Sequence, residues 1–87
     1  MMQHFVAFGT MRDKSPESPE ATALAAQLQQ FITENFYTCS DAIFCSLADM
    51  YAAGGDFTEN IDNSGGEGTA LFACKAIHAM VAKKERA

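Results

Sequence analysis

The sequence predicts an all-α protein of about four to five helices, because apolar residues recur at helical spacings of three and four in several segments. No segment alternates apolar and polar residues as a half-buried strand does. With 87 residues, the chain can form one domain with one small core. We predict a single domain over residues 1–87, with a flexible N-terminal segment at 1–15 and a helical core at 16–84.

The N-terminal segment predicts a short first helix over residues 2–11. Gly9 weakens this helix, since a glycine inside a helix costs up to about 1 kcal/mol relative to alanine. We therefore expect a helix that is able to move. Its apolar residues, which follow a helical period, are Phe5, Val6, Phe8 and Met11.

The clearest helical pattern lies in residues 19–36. Ser18 is a helix-capping residue type, Pro19 suits the first helical position, and Glu20 complements the positive end of the helix dipole. The predicted core-facing residues are Ala21, Leu24, Ala25, Leu28, Phe31 and Ile32.

A third helix is predicted to start at Ser40 and Asp41. It ends at Gly54 and Gly55, because glycine readily adopts the left-handed conformation found at helix ends. Its predicted core-facing residues are Ile43, Phe44, Leu47, Ala48, Met50 and Tyr51.

The C-terminal third predicts a short helix or turn at residues 56–62, a glycine-containing loop at 63–68 and a last helix at 69–84. The last helix is predicted to direct inward its residues Leu71, Phe72, Cys74, Ile77, Met80 and Val81.

Composition argues against some classes of function. The chain has 6 Lys and Arg against 11 Asp and Glu, a net charge of -5, so no face is basic enough to follow a phosphate backbone. No apolar run approaches the roughly 20 residues that span a bilayer, and the N-terminus lacks a signal-peptide pattern. We expect a cytoplasmic protein without a membrane partner.

The cysteines and histidines give only weak signals of chemistry. An odd number of cysteines without CxxC spacing indicates reduced thiols, and Cys39 could have a lowered pKa because a helix starts after it. Cys74 and His78 lie four residues apart, as two metal ligands on one helical face do. Since no second pair accompanies them, we favour a core thiol beside a partly exposed imidazole. We predict no metal, no cofactor and no catalytic residue.

Aromatic residues are too many for a core of this size, so some are expected to line an apolar groove. Tyr37 and Tyr51 suit its rim, because each combines an apolar ring with a polar hydroxyl. The aromatic residues outside the N-terminal segment are Phe31, Phe36, Tyr37, Phe44, Tyr51, Phe57 and Phe72.

Several segments, taken in order, resemble the TipAS-type antibiotic-recognition domain. They are Asn-Phe-Tyr-Thr-Cys-Ser at 35–40, Leu-Ala-Asp-Met-Tyr at 47–51, Phe-Thr-Glu-Asn-Ile-Asp at 57–62 and the segment 68–77. With the Ser-Pro-Glu-Ala helix start at 18–21, the resemblance covers residues 16–82. It implies a compact, globin-like helical fold. In that family the domain is usually the C-terminal effector module of a MerR-type transcription activator, or a separate drug-sequestering protein.

The resemblance implies a sensor that binds bulky, largely apolar antibiotics such as thiopeptides in a surface cleft. In the best-known member the first part of the domain is disordered until the drug binds, which implies a lid at residues 1–15 with Phe5, Phe8 and Met11 over the ligand. We expect an isolated monomer that contacts DNA only through a separate N-terminal domain, absent from this sequence. The other residues expected at the cleft are Phe36, Tyr37, Cys39, Phe44 and Tyr51.

The same resemblance bears on covalent capture of a drug. Ser46 aligns with the drug-attaching thiol of the family, and a serine without a base cannot replace a thiolate in conjugate addition. Cys45 would point about 100° away from Ser46 on a regular helix. We expect reversible binding, with attachment to Cys39 or Cys45 as a minor alternative.

Two other classes of function remain open at this point. The same apolar surface could serve as a protein interaction or dimerisation domain without a small-molecule ligand. A metal-dependent or thiol enzyme would rest on Cys74, His78 and the other cysteines.

Overall fold

A computed structural model describes residues 2–86, with the side chains of residues 3–85. These residues form five helices and no strand, which confirms the predicted all-α class. The helices are α1 (Met2–Thr10), α2 (Pro19–Asn35), α3 (Asp41–Tyr51), α4 (Asp56–Gly65) and α5 (Thr69–Arg86).

The starts of α2 and α3 have the predicted caps. Ser18 Oγ accepts a hydrogen bond from the Ala21 amide at 3.3 Å, and Ser40 Oγ accepts one from the Ile43 amide at 3.3 Å. Each bond satisfies an amide that has no partner within its own helix. The two capping residues predicted from the sequence are therefore confirmed.

The fourth helix is longer than predicted, since it continues past Asp62 to Gly65. Asp62 Oδ1 accepts a hydrogen bond from the Ala70 amide at 2.9 Å, so a side chain of α4 caps the start of α5. Gly66 and Gly68 have φ values of 107° and 89°, which permit the sharp turn between the helices. The predicted loop at 63–68 is wrong in extent and shrinks to residues 66–68.

α5 lies at the centre of the fold, since it contacts all four other helices. Its buried face includes Ala70, Ala73 and Ala76, small residues that let the neighbouring helices approach closely. Larger side chains fill the space around them. The largest fully buried side chains are Phe5, Phe8, Leu28, Phe44, Ile61, Thr69 and Ile77.

Some residues that the apolar stripes assigned to the interior lie on the surface. Leu71 is 53% exposed, because each residue advances about 100° around a helix and Leu71 therefore lies outside the arc of Ala70 and Ala73. Ile43 and Met50 are also exposed. The buried face of α3 is narrower than its apolar stripe and consists of Phe44, Ala48 and Tyr51.

α1 packs against α4 and α5, and Gly9 makes this packing possible. A Cβ at Gly9 would overlap the carbonyl group of Gly65 in α4, and a Cβ at Gly65 would lie 2.8 Å from the Phe5 carbonyl oxygen. The two helix backbones therefore approach as closely as only glycine allows. The sequence indicated that Gly9 weakens α1, whereas the structure makes it the contact point with α4.

Candidate functional site

An apolar groove lies where the end of α2, α3 and the start of α4 meet. Its volume is about 190 Å³. Three rings at the groove are largely exposed, Phe36 by 63%, Phe57 by 50% and Tyr37 by 47%, and clustered exposed apolar groups are typical of binding surfaces. The lining residues are Ile32, Phe36, Tyr37, Leu47, Met50, Tyr51 and Phe57.

The turn between α2 and α3 holds two of these rings at the surface. The amides of Phe36 and Tyr37 donate to the Ile32 carbonyl oxygen, at 2.9 and 3.2 Å, and so end α2. The Gln29 side-chain amide donates to the Cys39 carbonyl oxygen at 2.9 Å, which fixes the far end of the turn. Because hydrogen bonds hold both ends, the two aromatic residues stay outside the core.

The elbow between α3 and α4 positions the third exposed ring. Thr58 Oγ1 donates to the Tyr51 carbonyl oxygen at 2.6 Å and accepts a hydrogen bond from the Gly54 amide at 2.9 Å. This arrangement places the Phe57 ring beside the Tyr51 ring, with centroids 6.2 Å apart. The hydroxyl of one threonine thus sets the geometry of the groove on this side.

Tyr51 belongs both to the groove and to the core. Its side chain is buried, and its ring contacts the Phe5 ring of α1 edge to face at 5.2 Å. Burial, followed by the charge of Tyr37, raises the pKa of Tyr51 to about 12, so this phenol is neutral at physiological pH. Tyr51 therefore gives the groove an uncharged floor that is in direct contact with α1.

The structure brings only some of the residues expected at the cleft into the groove. Phe36, Tyr37 and Tyr51 line it. The remaining expected residues do not: Phe5, Phe8, Phe44 and Cys39 are buried in the core, and Met11 is half-buried against it.

Four groove residues were not expected at the cleft. Ile32, Leu47 and Met50 belonged to apolar stripes assigned to the core, and Phe57 was named only among the aromatic residues. The exposure of Met50 and Phe57 depends on how α3 and α4 meet. The angle between α3 and α4 cannot be read from the local sequence of either helix.

The surroundings of the cysteines raise the pKa values of their thiols. Burial raises the pKa of Cys39, and the nearby Asp41 carboxylate raises it further, so the lowered pKa expected from the helix start is wrong. Burial and the charge of Asp49 likewise raise the pKa of Cys45. Both thiols are therefore poorer sources of thiolate than a free cysteine.

A polar cluster joins α3 to α5 outside the groove. His78 Nε2 lies 2.8 Å from Asp49 Oδ1, and the Cys74 thiol lies 3.9 Å from the same oxygen. Burial and Asp49 together raise the pKa of the Cys74 thiol. The sequence pointed to Cys74 and His78 as a pair, but the third residue comes from a helix far away in the sequence. A thiol, an imidazole and a carboxylate in one place can hold a metal ion.

Other surface depressions are larger but chemically different. One of about 370 Å³ is bordered by Arg12, Lys14 and Lys75, whose charges favour water over apolar ligands. We therefore place the candidate binding site in the apolar groove. No helix within residues 2–86 is both long and apolar enough to cross a membrane.

Comparison with known families gives a match. Residues 1–80 match the family model described as the TipAS antibiotic-recognition domain, which confirms the family that the sequence motifs indicated. Comparison with curated proteins and with solved structures gives no significant match. The match includes α1, which the motif resemblance had left out. Because the match covers most of the chain, the chain belongs to the TipAS antibiotic-recognition domain family, whose members are found in MerR-type transcription regulators.

Proposed function

We propose that this domain senses drugs by binding bulky, largely apolar antibiotics of the thiopeptide kind in the groove. The observation that supports this most directly is the cluster of exposed rings, Phe36, Tyr37 and Phe57, in a family that recognises antibiotics. A ligand that covers these rings removes apolar surface from water, which stabilises the complex by about 25 cal/mol per Å².

A bulky ligand has to extend beyond the groove. The groove volume of about 190 Å³ is below the roughly 300–1,000 Å³ of usual small-molecule sites. One apolar edge of the ligand would therefore enter between Phe36 and Phe57, above Tyr51, while the remainder lies on the surrounding surface. Met50, which is exposed beside these rings, would extend the contact because its thioether side chain adapts to irregular shapes.

The N-terminal helix is proposed to respond to the ligand through Tyr51. In the structure, Phe5 and Phe8 cover the interior rather than the groove, and Met11 packs at the core's edge. Phe5 contacts Tyr51, which also lines the groove. A ligand that holds Tyr51 in place would favour the packed position of α1, and this is the ordering role we propose for residues 1–15.

Binding is proposed to be reversible and to be relayed to DNA by another domain. The raised pKa values of Cys39 and Cys45 and the serine at position 46 support a non-covalent complex. The net charge of -5 argues against DNA contacts by this domain, and we propose a monomeric sensor whose DNA contacts come from a separate MerR-type domain.

Titration with thiostrepton, followed by amide chemical shifts, tests the proposal. We expect saturable shifts at the lining residues, and an unchanged chain mass in denaturing mass spectrometry after incubation with the drug. Phe57→Ala should weaken binding about tenfold, or about 1.4 kcal/mol, because one contact ring is lost. Leu71→Ala is the matched control, since Leu71 is an equally exposed apolar side chain that does not line the groove.

Two results would contradict the proposal. Binding that is equally weak in Leu71→Ala and Phe57→Ala would mean that the groove is not the site. Absence of any saturable shift, together with a mass that rises with protein concentration, would instead assign the exposed rings to an interface between copies of the chain.

A further inference from the structure

Three residues with different metal-binding groups converge on the contact between α3 and α5. The carboxylate of Asp49, the thiol of Cys74 and the imidazole of His78 have their ligand atoms within 4.8 Å of one another. Cys74 and His78 lie one turn apart on α5, so both face Asp49 on α3. The groups are outside the apolar groove, and the proposed drug binding does not use them.

The distances are close to those of a zinc site. Zinc bonds to nitrogen, oxygen and sulfur are about 2.0–2.3 Å long, so ligand atoms at tetrahedral angles lie roughly 3.3–3.7 Å apart. The Cys74 to Asp49 distance of 3.9 Å is near this range. The 2.8 Å distance between His78 and Asp49 has to widen by about half an ångström.

Exposure permits that adjustment. The side chains of Asp49 and His78 are 70% and 44% exposed, so they can rotate without disturbing the core. Cys74 is half-buried at the edge of the core and supplies the more rigid anchor. Only two mobile groups have to move around one fixed sulfur.

We propose that Asp49, Cys74 and His78 bind one Zn²⁺ ion, which joins α3 to α5. One thiolate, one imidazole and one carboxylate match the ligand preferences of zinc, whereas calcium and magnesium prefer oxygen alone. The thiolate and the carboxylate together balance the charge of the ion. Water occupies the fourth tetrahedral position.

Binding of the ion displaces the thiol proton of Cys74. A thiol carries its proton at neutral pH, and Cys74 has to lose it to coordinate as a thiolate. The imidazole of His78 binds through a neutral nitrogen and the carboxylate of Asp49 through an oxygen. Zinc and the Cys74 thiol therefore give the zinc thiolate, and the thiol proton passes to solution.

The chain contains matched controls for two of the ligands. Cys45 lies one turn before Asp49 on α3, near enough to interact electrostatically with Asp49 and with Cys74, yet it is not one of the three clustered ligands. His4 is the other of the two histidines in the chain and lies on α1. Replacing either residue removes a similar group while leaving the proposed site complete.

Cobalt binding to tag-free, reduced, metal-free protein tests the site. We expect one Co²⁺ per chain, with the thiolate-to-cobalt charge-transfer band and the visible bands of tetrahedral cobalt, and displacement by Zn²⁺. Cys74→Ser should abolish the charge-transfer band. Asp49→Asn and His78→Gln should weaken binding at least about tenfold, since even changes behind the ligands cost that much. Cys45→Ser and His4→Gln should bind like the wild type.

A substoichiometric signal without tetrahedral bands would overturn the site. So would equal losses in His4→Gln and His78→Gln, or in Cys45→Ser and Cys74→Ser, because the ligands would then lie elsewhere. Circular dichroism of each variant establishes that it is folded. The exposed positions of Asp49 and His78 keep the test decisive even if Cys74→Ser is unstable. The measurement contains no drug, so its outcome does not depend on antibiotic binding.

Discussion

α1 and the turn between α2 and α3 both carry aromatic side chains, but these are buried in α1 and exposed in the turn. Phe5 and Phe8 of α1 are fully buried, whereas Phe36 and Tyr37 of the turn are largely exposed. Close backbone packing in α1 and local hydrogen bonds in the turn account for the difference. α1 has one apolar face and a glycine that allows close approach to α4, while hydrogen bonds at both ends hold the turn away from the core.

The comparison separates rings that fold the domain from rings that are free to bind. A ring enclosed in the core has already lost its contact with water, so a ligand gains nothing from it. A ring held at the surface by hydrogen bonds of the turn keeps its apolar area available. The turn therefore supplies binding surface, and α1 supplies the packing beneath Tyr51.

Truncating one ring from each region tests this division and should give the largest effect. Phe8→Ala should lower the free energy of unfolding by about 3–5 kcal/mol, because it leaves a cavity in a closed core. Phe36→Ala should change it by less than about 1 kcal/mol, since most of that ring is in water. Urea unfolding followed by circular dichroism measures both. Similar losses in the two variants would mean that the turn belongs to the core.

A smaller effect with an informative sign is expected at the contact between α1 and α4. Replacing a helical glycine by alanine normally stabilises a helix by about 1 kcal/mol. Gly9→Ala should instead destabilise the domain by about 1–3 kcal/mol, because the added Cβ overlaps the Gly65 carbonyl group.

The matched control for this substitution is Val6→Ala on the same helix. Val6 is exposed, so the change should stay within about 0.5 kcal/mol. Hydrogen exchange of the α1 amides supplies a second readout, since loss of the contact should raise exchange in α1 first. A Gly9→Ala protein as stable as the wild type would show that α1 does not pack against α4 in solution.

The local parts of the fold could be predicted from the sequence. Ser18 and Ser40 cap their helices because a serine oxygen reaches an amide three residues ahead, a relation contained in a short segment. The extension of α4 could not be predicted in this way. The helix continues past Asp62, whose side chain caps a different helix through an amide eight residues further along the chain.

The candidate sites were predicted less completely, for the same reason. Tyr37 and Tyr51 were expected at a rim from their chemistry, and both line the groove. Phe5 and Phe8 are assigned to a lid by the family resemblance, and Gly9 is expected to weaken their helix. In the structure, the missing side chain of Gly9 instead permits a contact between helices. The sequence could not show that Asp49 lies beside Cys74, because the position of α3 along α5 is set by packing throughout the core.

Removing the hydrogen bonds that Asp41 accepts at the start of α3 should have the smallest effect on the free energy of unfolding, and this effect should depend on pH. Asp41 accepts hydrogen bonds from the Gln29 side-chain amide at 2.9 Å and from Lys84 Nζ at 3.2 Å, and these bonds lower the pKa of its carboxyl group. A lowered pKa in the folded state adds stability that is present above the unfolded pKa of about 3.9 and is lost as the pH falls toward the folded value. Asp41→Asn should therefore lower the free energy of unfolding at pH 7, by less than Phe8→Ala or Gly9→Ala. The difference should begin to shrink as the pH falls below about 4 and should vanish below the lowered pKa of the folded state. Asp56→Asn removes a charge from the same first position of α4 and controls for the helix dipole. If the two variants lose stability equally at every pH, the bonds from Gln29 and Lys84 to Asp41 do not stabilise the turn, and its exposed rings are held by the bonds to the Ile32 and Cys39 carbonyl oxygens.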